Sequence, residues 1–181
     1  MTVQEHLLAF YKANGVPDQG GADLNHFHFK IAGITLRLPN PEFRKKAVHL
    51  HDIEHVVFDC DTSWRGEAFI AGIEVGTQVW KHFPVCLLSF WAMGYSLWLY
   101  PKEVWHGFKV GSQSQGLFDL PQSQETLMGM DLQALKTMLR QSNRRSTALG
   151  IALRFAAWVA VCQIVLSFPL LVLALIWWLV A

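Results

Sequence analysis

His51-Asp52-Ile53-Glu54-His55, followed after eleven intervening residues by Glu67, places two imidazoles and two well-spaced carboxylates within seventeen positions. Together these are the donors of a metal site. On a helix successive residues turn by about 100°, so His51 and His55 lie one turn apart on the same side and Asp52 falls within the same arc. Asp59-Cys60-Asp61-Thr62-Ser63, which follows, is rich in turn and N-cap residues and can end one helix and start another. Glu67 is then expected near the start of a second, antiparallel helix, from which it can return toward the histidines. His51, Asp52, His55 and Glu67 are the predicted ligands.

Two imidazoles and two carboxylates suit zinc first, with iron or manganese as alternatives. Calcium prefers all-oxygen sites and copper(I) prefers sulfur. An isolated H-x-x-x-H is more often a surface pair, so Asp52 and Glu67 carry the argument. Zinc peptidases use H-E-x-x-H with the Glu as general base, but position two here is Asp52, whose shorter side chain suits ligation. A phosphohydrolase of the His-Asp type would draw further ligands from His26, His28 or His49 and from Asp119 or Asp131, and would leave Glu67 unexplained.

The spacing H-D-x-x-H-x11-E resembles the coenzyme Q biosynthesis protein 4 family at His51, Asp52, His55 and Glu67. Phe83-Pro84-Val85-Cys86-Leu87-Leu88-Ser89 is similar to a segment that follows the motif in that family. The likeness covers roughly residues 39 to 141. It implies a largely helical protein with a metal on this motif, an apolar groove for a long isoprenoid lipid, and a role in ubiquinone assembly, where oxidative decarboxylation at C1 of the quinone ring is attributed to the family. Two features depart from it. Trp105-His106-Gly107-Phe108-Lys109 stands where a basic R-x-G-R run is expected, and a hydrophobic C-terminal tail is added.

That tail accounts for much of the composition. Of 181 residues 52% are hydrophobic, with eight Trp and twelve Phe, at the high end for a soluble chain. Residues 155 to 181 carry no charge, which exceeds the roughly 20 residues that a helix needs to cross a bilayer. Pro169 predicts a kinked or tilted single span. All fourteen acids precede residue 132, whereas Lys136, Arg140, Arg144, Arg145 and Arg154 lead into the span. By the positive-inside rule the folded part stays cytoplasmic. The N-terminus carries neither a signal peptide nor an Arg-rich transit pattern, so a bacterial cytoplasmic (inner) membrane with a single-pass C-terminal anchor is expected. Cys60, Cys86 and Cys162 stand far apart with no C-x-x-C spacing, which speaks against both a disulfide framework and a cysteine-based zinc site. A net charge of +1 gives no hint of nucleic-acid binding.

The elements that must position the ligands read as follows. A short helix over residues 3 to 13 ends at Asn14-Gly15, and the alternation over residues 27 to 38 suggests a short extended stretch or a hairpin around Gly33. Pro41 opens the ligand helix, residues 42 to 58. A second core helix, residues 63 to 82, carries Glu67, Ala71, Glu74 and Gln78 on one stripe. A third, residues 85 to 100, is apolar nearly all round and fits a buried helix or the wall of a lipid groove. A Gly- and Gln-rich linker near 111 to 124 and an amphipathic helix over 127 to 139 lead to the tail.

The expected fold class is mainly α, with a small helical metal-binding domain over residues 1 to 145 and one C-terminal transmembrane helix over 146 to 181. Glu74 is a candidate for the metal's surroundings or for substrate, and Trp91, Tyr95 and Trp98 are candidates for a lipid wall, although such side chains more often belong to a solvated face or a core. The function implied is that of a membrane-anchored ubiquinone-biosynthesis metalloprotein binding a prenylated quinone precursor or other lipid. The alternatives are a non-enzymatic lipid-binding or assembly subunit, as a homodimer or within a membrane complex, and an HD-like phosphohydrolase.

Overall fold

The computed structural model describes residues 1–31, 33–140 and 147–180. Among them the protein is mainly helical, with one β-hairpin. The contacts divide the chain into two units, Met1–Asp61 with Leu120–Met138, and Thr62–Asp119 with Leu139–Ala181. Arg144 and Arg145, part of the basic run, lie outside the described residues.

In the first unit, α1 (Val3–Asn14) starts with a reciprocal cap. Glu5 N–H donates to Thr2 Oγ1 at 3.2 Å and Thr2 N–H to Glu5 Oε2 at 2.9 Å, which satisfies two otherwise orphaned donors. Its buried stripe is Val3, Leu7 and Tyr11. A turn at Asp18–Gly21 holds Gln19, Gly20 and Gly21 at positive φ. Antiparallel β1 (His26–Ile31) and β2 (Ile34–Pro39) follow, with Phe27 opposite Leu38 and His28 opposite Arg37. Asn40 then locks the entry to α2 (Glu42–Phe58): its buried amide donates to the carbonyls of Gly21 and Leu24 and accepts from Arg44. Asp59, at φ 56°, ends α2.

The amphipathic stretch expected over residues 127 to 139 is two helices, α6 (Gln124–Gly129) and α7 (Leu132–Arg140). Asp131 makes the break, accepting from Gln133 N–H at 2.9 Å and Ala134 N–H at 3.2 Å as the cap of α7.

The second unit contains α3 (Trp64–Gly76), α4 (Cys86–Leu99), α5 (Pro101–Ser112) and α8 (Ala148–Val180). Ser63 caps α3, accepting from Gly66 N–H at 3.3 Å. α3 ends at Gly76, short of the expected residue 82, because Gln78 adopts φ 81° before a 3₁₀ turn at Val79–Lys81. α5 was not anticipated from the sequence. It meets α3 through two matching small-residue pairs, Gly72-x-x-x-Gly76 and Gly107-x-x-x-Gly111. A Cβ on Gly107 would run into the Phe69 carbonyl, one on Gly111 into the Ile73 carbonyl, and one on Gly76 would stand 2.6 Å from the Phe108 carbonyl. Glycine here lets two helix backbones touch.

α8 runs parallel to α4, pairing Phe90 with Trp158 and Gly94 with Cys162. Phe155 packs on Trp105 and Phe108, and Ile151 and Cys162 are buried in the shared core. Within α8, Ala148–Pro169 has a mean hydropathy of 2.0 and is long and apolar enough to cross a membrane.

Candidate metal centre

α2 supplies the donors of the first unit. His51 and His55 sit one turn apart, as their spacing requires, and their Nε2 atoms face each other at 3.3 Å. Two nitrogens bound at about 2.0–2.1 Å to one tetrahedral ion lie about 3.3–3.4 Å apart, so the pair already has the bite of a chelate. Packing holds it there. The His55 ring is buried and stacks on Phe10 with centroids 5.6 Å apart, and the half-buried His51 ring meets it edge-on at 4.9 Å.

Asp52 is turned to a different partner. Its Oδ2 accepts from the Tyr11 hydroxyl at 2.9 Å, and the backbone of Gly20 lies so close that a Cβ there would overlap the same oxygen. Burial, with the Asp52 charge and hydrogen bond behind it, raises the Tyr11 pKa well above the ordinary tyrosine range, so the hydroxyl stays a donor. Arg44, two turns before Asp52, has its pKa lowered by burial while the Asp52 charge opposes that shift.

Glu54, three residues after His51, is 1% exposed. The sequence offered a signal for it, since the i, i+3 relation to His51 shares a helix face, but its carboxylate reads first as a solvated neighbour. In the second unit Glu67 is half-buried in the first turn of α3, and Glu74 is buried two turns later rather than solvated. Among the described residues, His51, Glu54 and His55 of α2 in the first unit, and Glu67 and Glu74 of α3 in the second, are His and Glu side chains of the kind that could hold a metal ion. Imidazole and carboxylate donors of this kind suit a borderline-hard divalent ion.

The remaining candidates are placed elsewhere. His26 and His28 are exposed on β1. Asp119 Oδ1 lies 2.9 Å from His82 Nε2, and Asp131 caps α7. Trp91 stacks on Tyr95 at 5.9 Å, and Tyr95 meets Trp64 at 4.8 Å. Trp98 is 75% exposed. In the first unit an open cavity of about 690 Å³ lies beside Tyr11 and His49, lined also by Leu7, Leu8, Gln19 and Met128.

Comparison with protein-family models, with curated proteins and with solved structures finds no match to this chain.

Proposed function

We propose that this protein is a membrane-anchored metalloprotein of the coenzyme Q biosynthesis protein 4 type, with one zinc, iron or manganese ion on His51, Asp52, His55 and Glu67, acting on a prenylated quinone precursor. The observation that carries the reading is the 3.3 Å approach of the two Nε2 atoms, a spacing that suits a shared ion. When bound, such an ion supplies Lewis-acid polarisation of a ring carboxylate or hydroxyl. The chain's own contribution is orientation. Phe10 fixes the His55 ring, and Tyr11 orients Asp52 by donating to its Oδ2. The cavity beside Tyr11 is of the size of small-molecule sites, about 300–1,000 Å³. The apolar helix Ala148–Pro169 supports a location where isoprenoid lipids reside.

A second reading follows from the same donors. Four protein ligands fill a tetrahedral zinc, and a closed site of that kind holds structure rather than performing chemistry. The protein would then be a lipid-binding or assembly subunit.

Elemental analysis of the purified full-length protein tests the centre. About one transition-metal ion per chain is expected, and His51→Ala or His55→Ala should lose most of it, because even changes around a ligand cost about 10- to 100-fold in affinity. Full metal content in both variants would remove the centre. Accumulation of a prenylated quinone precursor in a strain lacking the protein separates the enzymatic reading from the assembly one.

A further inference from the structure

The hairpin of the first unit separates apolar from polar side chains. In its antiparallel register Phe27 stands opposite Leu38, and Ile34, Leu36 and Leu38 alternate along β2, so these four share one face. His26, His28, Thr35 and Arg37 take the other. Arg37 Nη2 approaches His26 Nδ1 to 3.4 Å across that second face. The apolar face is covered at its base and open toward the turn. At the base Phe27 and Leu38 are half-buried, and the Arg44 guanidinium lies 3.9 Å over the Phe27 ring. Toward the turn Leu36 is 42% exposed and Ile34 61%.

Water is a poor surrounding for such a tip. A two-stranded hairpin is marginally stable by itself, and turns draw mostly on Gly, Pro, Asn, Asp and Ser. Here the sequence across the turn is Ile31-Ala32-Gly33-Ile34, with no polar side chain. Charge narrows the choice of occupant. Residues 24 to 41 contain Lys30 and Arg37 and no acid. The flanking acids, Asp23 and Glu42, lie beyond the ends of the strands, and Glu42 is paired with Lys45 at 2.8 Å. An apolar groove on another protein would accept the open face but make no use of the cations. An anionic bilayer uses both, because it takes up apolar side chains beneath its phosphates and draws Lys and Arg to them. The dimensions agree. Arg37 stands three residues from Ile34, about 10 Å along a strand, which exceeds the roughly 5–8 Å of head-group region on each side of the hydrocarbon.

We propose that the β1–β2 hairpin is a membrane-inserting tip, with Ile34 and Leu36 entering the acyl layer of an anionic bilayer while Arg37 stays at its phosphates. This is a second contact with lipid, made by the first unit, and it does not depend on reading α8 as a span.

Single cysteines carrying a nitrobenzoxadiazole label test it, in the full-length protein with vesicles of phosphatidylcholine with or without phosphatidylglycerol. Ile34 and, for comparison on α1, Ala13 are exposed, and the signal of the unsubstituted protein, whose Cys60 is half-buried and whose Cys86 and Cys162 are buried, is subtracted. Lipid spin-labelled on its acyl chain should quench Ile34→Cys but not Ala13→Cys, and more strongly when phosphatidylglycerol is present. Adding Arg37→Ala to Ile34→Cys should lower the inserted population about fivefold in the anionic vesicles, the worth of one cation near such a surface. No change on Arg37→Ala, with equal quenching in neutral vesicles, would overturn the anionic surface as the occupant. A label at Ile164→Cys reports on α8 separately. If that label is quenched while Ile34→Cys stays in water, the span stands and the inserting tip is wrong. If Ile34→Cys alone is quenched, the tip holds and the span reading fails. Equal quenching at Ala13→Cys would bury the whole unit in lipid and overturn the hairpin as the contact. A label at Ile34→Cys that is shielded from water yet not quenched by the spin-labelled lipid would mean that a second copy or another protein covers the tip.

Discussion

The Tyr11 hydroxyl donates to Asp52 Oδ2 at 2.9 Å across 41 positions of chain, tying the first helix to the helix that bears the histidines. Hydrogen bonds to buried charged groups are worth about 1.5–3 kcal/mol, so Tyr11→Phe should destabilise the first unit by that order in chemical denaturation. If Asp52 is a ligand, metal affinity should also fall about 10- to 100-fold. Titration of metal-free protein reads the affinity apart from stability. An unchanged affinity would confine Tyr11 to a structural role.

The paired glycines of α3 and α5 predict a size threshold. Gly107→Ala places a methyl against the Phe69 carbonyl, and Gly107→Val adds two more carbons in the same contact. Overpacking of this kind costs about 1–3 kcal/mol, and helix backbones cannot yield as a side chain does. Thermal melts should fall in the order wild type, Ala, Val. Equal melting temperatures would show that α3 and α5 are not in backbone contact.

Removal of α8 should expose a core rather than release a soluble domain. Trp158 stacks on Trp80 at 4.6 Å and on Phe90 at 5.1 Å, and Phe155 covers Phe108. At about 1.5–3 kcal/mol for each fully buried large apolar side chain, losing Ile151, Phe155 and Trp158 with their partners is comparable to the whole stability of a domain, about 5–15 kcal/mol. A chain ending at Thr147 is expected to aggregate or to bind the dye ANS strongly. A monodisperse fragment with a cooperative melt would refute this packing.

Asp131 predicts an acid limb. The backbone N–H groups of Ala134 and Gln133 hold its carboxyl below the usual carboxylate range. A depressed folded value means that its support of α7 is fully present above the ordinary aspartate pKa of about 3.9 and is lost as pH falls through the folded value. Asp131→Ala should therefore lower the melting temperature at neutral pH and converge with wild type in strong acid. A constant difference across that range would assign the effect to something other than the charge.

Local periodicity made much of this protein legible in its sequence. The spacing of His51 and His55 puts them on one face of any helix, and Pro41 and Asp59 bracket a helix that runs over Glu42–Phe58 as read. The hairpin around Gly33 followed from alternation, and the apolar tail from length and the absence of charge. Each of these depends on neighbours a few residues apart, where helix or strand geometry alone decides what faces what.

Tertiary structure decided the rest. No local pattern shows that Tyr11 would seek Asp52, that Gly20 must lack a side chain to let that carboxylate in, or that Glu54 and Glu74 are buried rather than solvated. The glycines of α5 read locally as poor helix formers, because their propensity cost is visible in one segment while the compensating backbone contact with α3 is not. The tail likewise reads as a separate anchor until Gly94, Trp98 and Gln163 are seen joined. A charge-free helix looks the same whether lipid or protein covers it, and only its neighbours in space determine which half meets which.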